Sequence, residues 1–199
     1  MNRSRLFSLL IGFSALACYT GGPYPTPTRT PTPTPPPAAA PPPRTAMMPS
    51  PTTATAVVHD AVGRRVGSVA FSETYAGLLV RGSVSDLGIG AHGIHLHAVG
   101  KCEPPFTSAG GHFNPEKRAH GFNSQHGPHL GDMPNIYTPA AGKLEFEFIV
   151  PGVSLKGPFG LLDADGASIV VHATADDYLT DPAGNSGARI ACGVITAAP

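Results

Sequence analysis

The amino-acid sequence predicts an all-β domain, an antiparallel β-sandwich or flattened barrel, carried behind a leader that cannot fold by itself. Three observations point there. Residues 66–73, 77–85, 143–150 and 168–172 are short runs rich in Val, Ile, Leu and Phe, separated by Gly, Pro and Asp, the composition of strands and their turns. In Lys143-Leu144-Glu145-Phe146-Glu147-Phe148 the alternation is clean, with Leu144, Phe146 and Phe148 on an inward face and Glu145 and Glu147 in water. No stretch shows comparable helical periodicity, and many short strands with turn-rich connections close as a sandwich or barrel.

From the N-terminus, the first element is a leader. Residues 1–17 place Arg3 and Arg5 ahead of an apolar stretch of about a dozen residues, too short to span a bilayer as a mature helix, and read as a secretory signal. The leader closes on Ala15-Leu16-Ala17-Cys18, which resembles a bacterial lipobox in which Cys18 is lipidated and becomes the mature N-terminus. Ala15-Leu16-Ala17 also satisfies the small-x-small rule of ordinary signal cleavage, and both readings cut before Cys18. Three cysteines in a secreted chain leave one over if the other two pair.

Residues 18–53 hold this cysteine and a Pro/Thr-rich linker. Between Gly21 and Pro51 the chain runs through Pro-Thr and Pro-Pro-Pro repeats with almost no large aliphatic residue, so it buries no core and reads as an extended polyproline-type segment. At about 3 Å per residue such a segment holds a domain on the order of 100 Å from its anchor. A spacer is the simplest use, and the threonines leave a glycosylated stalk open. The folded domain then occupies 54–199. The chain carries 13 basic and 13 acidic residues, and loss of Arg3 and Arg5 with the leader leaves 11 against 13, a formal charge of −2. That balance offers no basic footprint for nucleic acid.

Within the domain, residues 100–139 are too rich in Gly, Pro and His to be strand, and a loop of this length in a compact domain is usually functional. Asp163-Ala164-Asp165-Gly166 lacks the remaining ligands of a calcium loop and precedes a strand, so it reads as a turn.

The histidines carry the chemistry. His95 and His97 alternate in Gly93-Ile94-His95-Leu96-His97, and alternate residues of a strand share one face, where two imidazoles can grip one metal ion. His112, His120, His129 and Asp132 follow, and His172 ends an apolar run. Imidazole suits copper and zinc, whereas carboxylate alone suits magnesium or calcium, so six histidines and one aspartate point to copper, zinc or both. Seven ligands divide into two four-coordinate sites only if one is shared, and imidazole has two nitrogens with which to share it.

These residues, with Gly93-Ile94-His95-Leu96-His97, Ser108-Ala109-Gly110-Gly111-His112-Phe113-Asn114-Pro115, His129-Leu130-Gly131-Asp132 and Gly187-Ala188-Arg189-Ile190-Ala191-Cys192-Gly193-Val194-Ile195, give the chain from about Ala54 onward a resemblance to the copper, zinc superoxide dismutases. The resemblance implies an eight-stranded Greek key with long metal-binding loops. It implies that His95, His97 and His172 hold copper, that His112 bridges, and that His120, His129 and Asp132 complete the zinc site. Asp176 falls on the carboxylate that links a copper histidine to a zinc histidine, Cys102 and Cys192 on the disulfide, and Arg189 on the cation beside copper. Cys18 is then the cysteine left over, and lipidation accounts for it. His92 matches a histidine that serves structure, as a backbone hydrogen-bonding residue, while His59 and His126 match nothing.

What the resemblance implies for function is disproportionation of superoxide to dioxygen and hydrogen peroxide at a copper centre bridged to a structural zinc, in the cell envelope. Tyr19 after Cys18, rather than Asp, is compatible with outer-membrane sorting in a cell with two membranes, and the envelope location is periplasm or outer membrane. A homodimer is also compatible with the resemblance. Two further classes compete: a copper or zinc buffer that keeps the ligands without turnover, and a structural lipoprotein using only the sandwich. The complete set of ligands, with Arg189, Asp176 and both cysteines, speaks against the structural class most strongly. The segment from Asp176 to Ser186 contains Asp176, Asp177 and Asp181 but no lysine, so steering of an anion is expected to depend mainly on Arg189.

Overall fold

The alternating and continuous apolar runs fold as strands of one curled antiparallel sheet. A computed structural model describes residues 52–198 together with Gly22; the leader 1–17, Cys18 and nearly all of the linker lie outside the described residues. Among the described residues ten strands form in chain order: β1 (Thr53–Asp60), β2 (Arg65–Thr74), β3 (Gly77–Ser85), β4 (Gly90–His92), β5 (Ile94–His97), β6 (Ile136–Thr138), β7 (Lys143–Val150), β8 (Ser168–His172), β9 (Arg189–Val194) and β10 (Thr196–Ala197). Eight of them make a sheet in the order β5-β8-β9-β1-β2-β3-β7, with β10 on β1, while β4 pairs with β6. The chain thus crosses from one end of the sheet to the other after β3, returns after β5, and crosses again after β7, as in a Greek key.

The inward residues show why the sheet curls. In β1, Ala54, Ala56 and Val58 are buried and alternate with exposed neighbours. They share one core with Phe71, Leu78 and Val80 of β2 and β3, and with Ile94, Leu96, Ile169 and Val171 from the other end of the sheet. Strands at opposite ends can bury one common core only if the sheet folds over on itself. In β2 a bulge opposite Val58 and His59 brings both Val66 and Val69, three apart, into the core, a departure from simple alternation that one extra residue allows. On β7, Leu144, Phe146 and Phe148 share the inward face as their alternation predicts, but they are only partly buried against the core, because β7 ends the sheet.

Both faces of β8 are covered. Ile169 and Val171 enter the main core, while Val170 packs with Phe106, Ala109 and Cys192 in a smaller cluster, which explains its uninterrupted apolar run. Cys102 and Cys192 form a disulfide that joins the long loop to β9. That loop is not strand-free: β6 lies within it, because Ile136-Tyr137-Thr138 pairs with β4. A turn occupies Asp163–Gly166, where the Asp163 carboxylate accepts the N–H groups of Asp165 at 3.2 Å and Gly166 at 2.9 Å.

Candidate metal centre

Strand alternation builds the first half of the site. Ile94 and Leu96 of β5 point into the core, so His95 and His97 point to the opposite face, where they are fully buried. One edge of β5 pairs with β8. Along the other lie two strips of the long loop: Phe113 N–H donates to Leu96 C=O at 2.8 Å, and Leu96 N–H to Gly131 C=O at 2.9 Å. This backbone pairing brings His112, beside Phe113, and Asp132, beside Gly131, against the two histidines, with isolated bridges linking His97 to His112 and His95 to Asp132. His172 ends β8. A bulge after Val171 sets it opposite Arg189 at the start of β9, and bulges commonly re-aim side chains beside active sites.

Among the described residues two groups of four ligands result, the ligand atoms of each lying within 4.8 Å of one another: His95, His97, His112 and His172, and His112, His120, His129 and Asp132; a third grouping, His95, His120 and Asp176, links them. All seven side chains of the two groups of four are buried. In the first group, His97 Nδ1 donates to Gly110 C=O at 3.0 Å, His172 Nδ1 to Gly187 C=O at 3.3 Å, and His95 Nε2 to the Asp176 carboxylate at 2.7 Å. Each partner fixes the proton on one ring nitrogen and leaves the lone pair of the other facing inward. Those other atoms, His95 Nδ1, His97 Nε2 and His172 Nε2, together with His112 Nε2, are buried without a hydrogen-bond partner. A buried unpaired polar atom costs about 1–3 kcal/mol, and four converging on one point are accounted for by a cation that accepts all four lone pairs.

In the second group three Nδ1 atoms surround one oxygen. Asp132 Oδ1 lies 2.8 Å from His112 Nδ1, 3.1 Å from His120 Nδ1 and 3.2 Å from His129 Nδ1. Asp132 Oδ2 accepts the N–H groups of Gly121 at 2.9 Å and His129 at 3.0 Å, so the carboxylate is aimed by the backbone. Three nitrogens and one carboxylate in a closed buried set fit a structural zinc. The two nitrogens of His112 face different groups: Nδ1 lies in the second and Nε2 is unpartnered in the first. Asp176 makes a second link, its Oδ2 on His95 Nε2 and its Oδ1 on His120 Nε2 at 3.0 Å.

The electrostatics keep the lone pairs available. Burial pushes His97 down to about 2, His172 to about 3 and His112 to about 4, and lowers His95 as well. Neighbouring rings add to this for all four, whereas hydrogen bonds to Asp132 and Asp176 only partly oppose it for His112 and His95. At His120 burial pulls the same way, but hydrogen bonds with Asp132 and Asp176 together prevail and raise it to about 9. Burial would raise both aspartates; their histidine hydrogen bonds outweigh it and hold Asp132 and Asp176 well below the usual carboxylate range.

Arg189 is half-buried beside the first group. Its Nη1 donates to Phe106 C=O and its Nη2 to Gly110 C=O, both at 2.7 Å, and its charge helps to disfavour protonation of His97 and His172. Burial lowers its pKa, yet a guanidinium stays charged. Gly110 C=O accepts from both Arg189 and His97, so cation and ligand hang on one peptide.

His92 lies outside both groups: its ring nitrogens sit 2.9 Å from His172 C=O and 3.2 Å from Gly88 C=O, so it braces the strand end that presents His172. His126 is exposed and belongs to neither group. Sequence reasoning passes over Asn135, Tyr178 and Gly184, which all contact Asp176 or its peptide. Only Gly184, in a Pro-Ala-Gly-Asn turn, carries a signal that could have drawn attention. Among the described residues no helix is long and apolar enough to cross a membrane.

Comparison with known proteins agrees with this geometry. The family model described as copper/zinc superoxide dismutase (SODC) matches residues 65–195. Superoxide dismutase [Cu-Zn] 1 of Aquifex aeolicus is 44% identical over 137 residues, covering 67% of this chain and 81% of that protein. Superoxide dismutase [Cu-Zn] of Caulobacter vibrioides is 45% identical over 148 residues, covering 72% and 85%. The crystal structure of a double mutant of a SOD-like protein from Bacillus subtilis superposes with a TM-score of 0.68 at 43% identity, covering 70% of this chain and 95% of that one.

Proposed function

The chain belongs to the copper/zinc superoxide dismutase family, and from that premise we propose that it disproportionates superoxide at a copper site joined to a zinc site by His112. Copper would be held by His95 Nδ1 and by Nε2 of His97, His112 and His172, and zinc by Nδ1 of His112, His120 and His129 with Asp132 Oδ1. The observation that carries this assignment is the convergence of four buried, unpartnered ring nitrogens beside a closed nitrogen and carboxylate set, with His112 in both. When bound, copper supplies the alternating one-electron oxidation and reduction by which two superoxide radicals and two protons become dioxygen and hydrogen peroxide.

The chain's residues do the rest. The Arg189 guanidinium, pinned by two carbonyls, offers a fixed positive charge to a small anion and lowers the cost of bringing it to the buried histidines. His112 Nε2 has no acceptor within the protein; when not ligating, it can hold a proton and give it to the developing peroxide. Asp176 keeps the protons of His95 and His120 on Nε2, so both present Nδ1 inward. Asp132 and its three histidines organise the loop that carries the bridge.

Metal analysis with spectroscopy tests the assignment. The loaded protein is expected to hold one copper and one zinc per chain. With cobalt replacing zinc, the copper(II) EPR signal should be suppressed by coupling through His112, and His112→Ala should restore it. An unsuppressed signal in the parent would refute the bridge.

We further place the enzyme in the cell envelope, held by a lipid on Cys18. The support is the leader 1–17, the odd cysteine, and the Cys102–Cys192 disulfide, which belongs to an oxidising compartment. The full-length protein should partition into a detergent phase and Cys18→Ser into the aqueous phase; equal aqueous partition of both would remove the anchor.

A further inference from the structure

Asp176 joins the two ligand groups, so the residues that fix Asp176 fix the relation between them. Asn135, buried just before β6, brackets the Asp176 peptide: its Oδ1 accepts from Asp176 N–H at 2.8 Å and its Nδ2 donates to Asp176 C=O at 2.9 Å. Only an amide side chain offers a donor and an acceptor side by side in this way.

Tyr178 ties the same aspartate to two other segments. Its backbone N–H donates to Asp176 Oδ1 at 2.6 Å, its hydroxyl accepts from Asn135 N–H at 2.7 Å, and its carbonyl accepts from Asn123 N–H at 2.9 Å. The residue sits at φ 63°, the left-handed region that a bulky side chain avoids and that persists only where surroundings over-determine it. Three hydrogen bonds on three sides do so here. The ring packs on Phe122 with centroids 5.5 Å apart. A Cβ at Gly121 would lie 2.1 Å from the Tyr178 carbonyl oxygen, so the loop bearing His120 must be glycine there to come so close.

Resting on the metal assignment proposed above, we infer that Asn135 and Tyr178 are positioning residues for the metal centre. They hold Asp176 in register with His95 on the copper side and His120 on the zinc side, so that filling the zinc group orders the copper-side ring. Neither touches a ligand nitrogen; both act through Asp176.

The test uses Tyr178→Phe, which deletes only the hydroxyl, Asn135→Ala, which deletes the bracket, and as a control Tyr137→Phe, which deletes the hydroxyl of an exposed tyrosine on β6. Zinc affinity of the full-length copper-loaded protein is measured by competition with a chelator, and the copper(II) EPR spectrum is recorded before and after zinc addition. Tyr178→Phe is expected to bind zinc about ten-fold more weakly and Asn135→Ala more weakly still, within the range typical of outer-shell changes. In both, zinc should change the copper spectrum less than in the parent, while Tyr137→Phe stays within two-fold and keeps the parent's spectral change. Parent-like zinc affinity and spectral change in both variants would overturn the inference. So would equal losses of copper and zinc affinity together with a lower metal-free melting temperature, which would mark the residues as structural only. If the parent bound no zinc, the metal assignment itself would fall, and this inference with it.

Discussion

Acidifying the metal-free protein from pH 7.5 to 5.5 should destabilise it by roughly 3 kcal/mol, and the sign follows from the site. His97, His172 and His112 have folded pKa values pushed down to about 2, 3 and 4 from an ordinary 6.5. A histidine depressed in this way binds its proton more readily in the unfolded chain, so its contribution is full above pH 6.5 and is lost as pH falls below it. At pH 5.5 each stands about one unit below its unfolded pKa and well above its folded one, so each costs about 1.4 kcal/mol. His120 runs the other way. Its pKa is raised to about 9, so its contribution is full below pH 6.5 and lost as pH rises through 9, and the same acidification returns about 1.4 kcal/mol. His95 is lowered and adds to the loss. Asp132 and Asp176, held low, lose their contributions only as pH falls below about 4, the unfolded carboxylate range, outside this window.

For a domain of this size roughly 3 kcal/mol corresponds to a fall of about 10 °C in melting temperature. The assay is thermal unfolding by circular dichroism at the two pH values with a chelator present, and again with copper and zinc bound. The metal-free protein should melt markedly lower at pH 5.5, whereas the loaded protein, with the same nitrogens held by metal, should lose less. A metal-free melting temperature that stayed level or rose on acidification would refute the reasoning.

Other outcomes follow from single contacts. Arg189→Ile should lower the superoxide rate at low salt by ten-fold or more and flatten its salt dependence, since the segment 176–186 supplies no lysine; an unchanged low-salt rate would remove the steering role. Gly184→Ala would place a Cβ 1.8 Å from Asp176 Oδ1 and 2.7 Å from His120 Nε2 at a backbone φ of +62°. It should therefore weaken zinc binding at least ten-fold in a competition titration, and parent-like affinity would count against the Asp176 link. The disulfide closes a loop with a sequence separation of 90, so the Cys102→Ser, Cys192→Ser double variant should lose up to about 4.6 kcal/mol in urea unfolding on the chain-entropy account. A loss under 1 kcal/mol would show that the loop is held by its other contacts.

What the sequence made legible follows from how local each signal is. The strands β2, β3, β7 and β8 are written in runs and alternations that need no knowledge of their partners, and the His95/His97 alternation survives because both residues sit on one short strand. Residues Thr53–Asp60 are harder to read as β1, since Ala54 and Ala56 are small and the exposed Val57 blurs the pattern. The bulges opposite Val58 and after Val171 depend on pairing between distant strands, and no local composition announces them. Strand β6 is hidden in a loop of Gly, Pro and His because three residues are too few to show a period. The identity of each inward nitrogen is beyond the sequence altogether. It is set by partners such as Gly110 C=O, Gly187 C=O and the Asp176 carboxylate, which are backbone or lie some 80 residues away. Asn135 and Tyr178 escape notice for the same reason: their work is on the peptide and carboxylate of another loop.

The most direct measurement is superoxide decay by pulse radiolysis on the purified full-length protein loaded with one copper and one zinc per chain. A second-order rate near the diffusion limit that collapses when copper is removed, and returns when it is restored, is the result expected of a dismutase built on these histidines. Stoichiometric binding of both metals with no turnover would contradict it and make the protein a metal buffer on a dismutase scaffold.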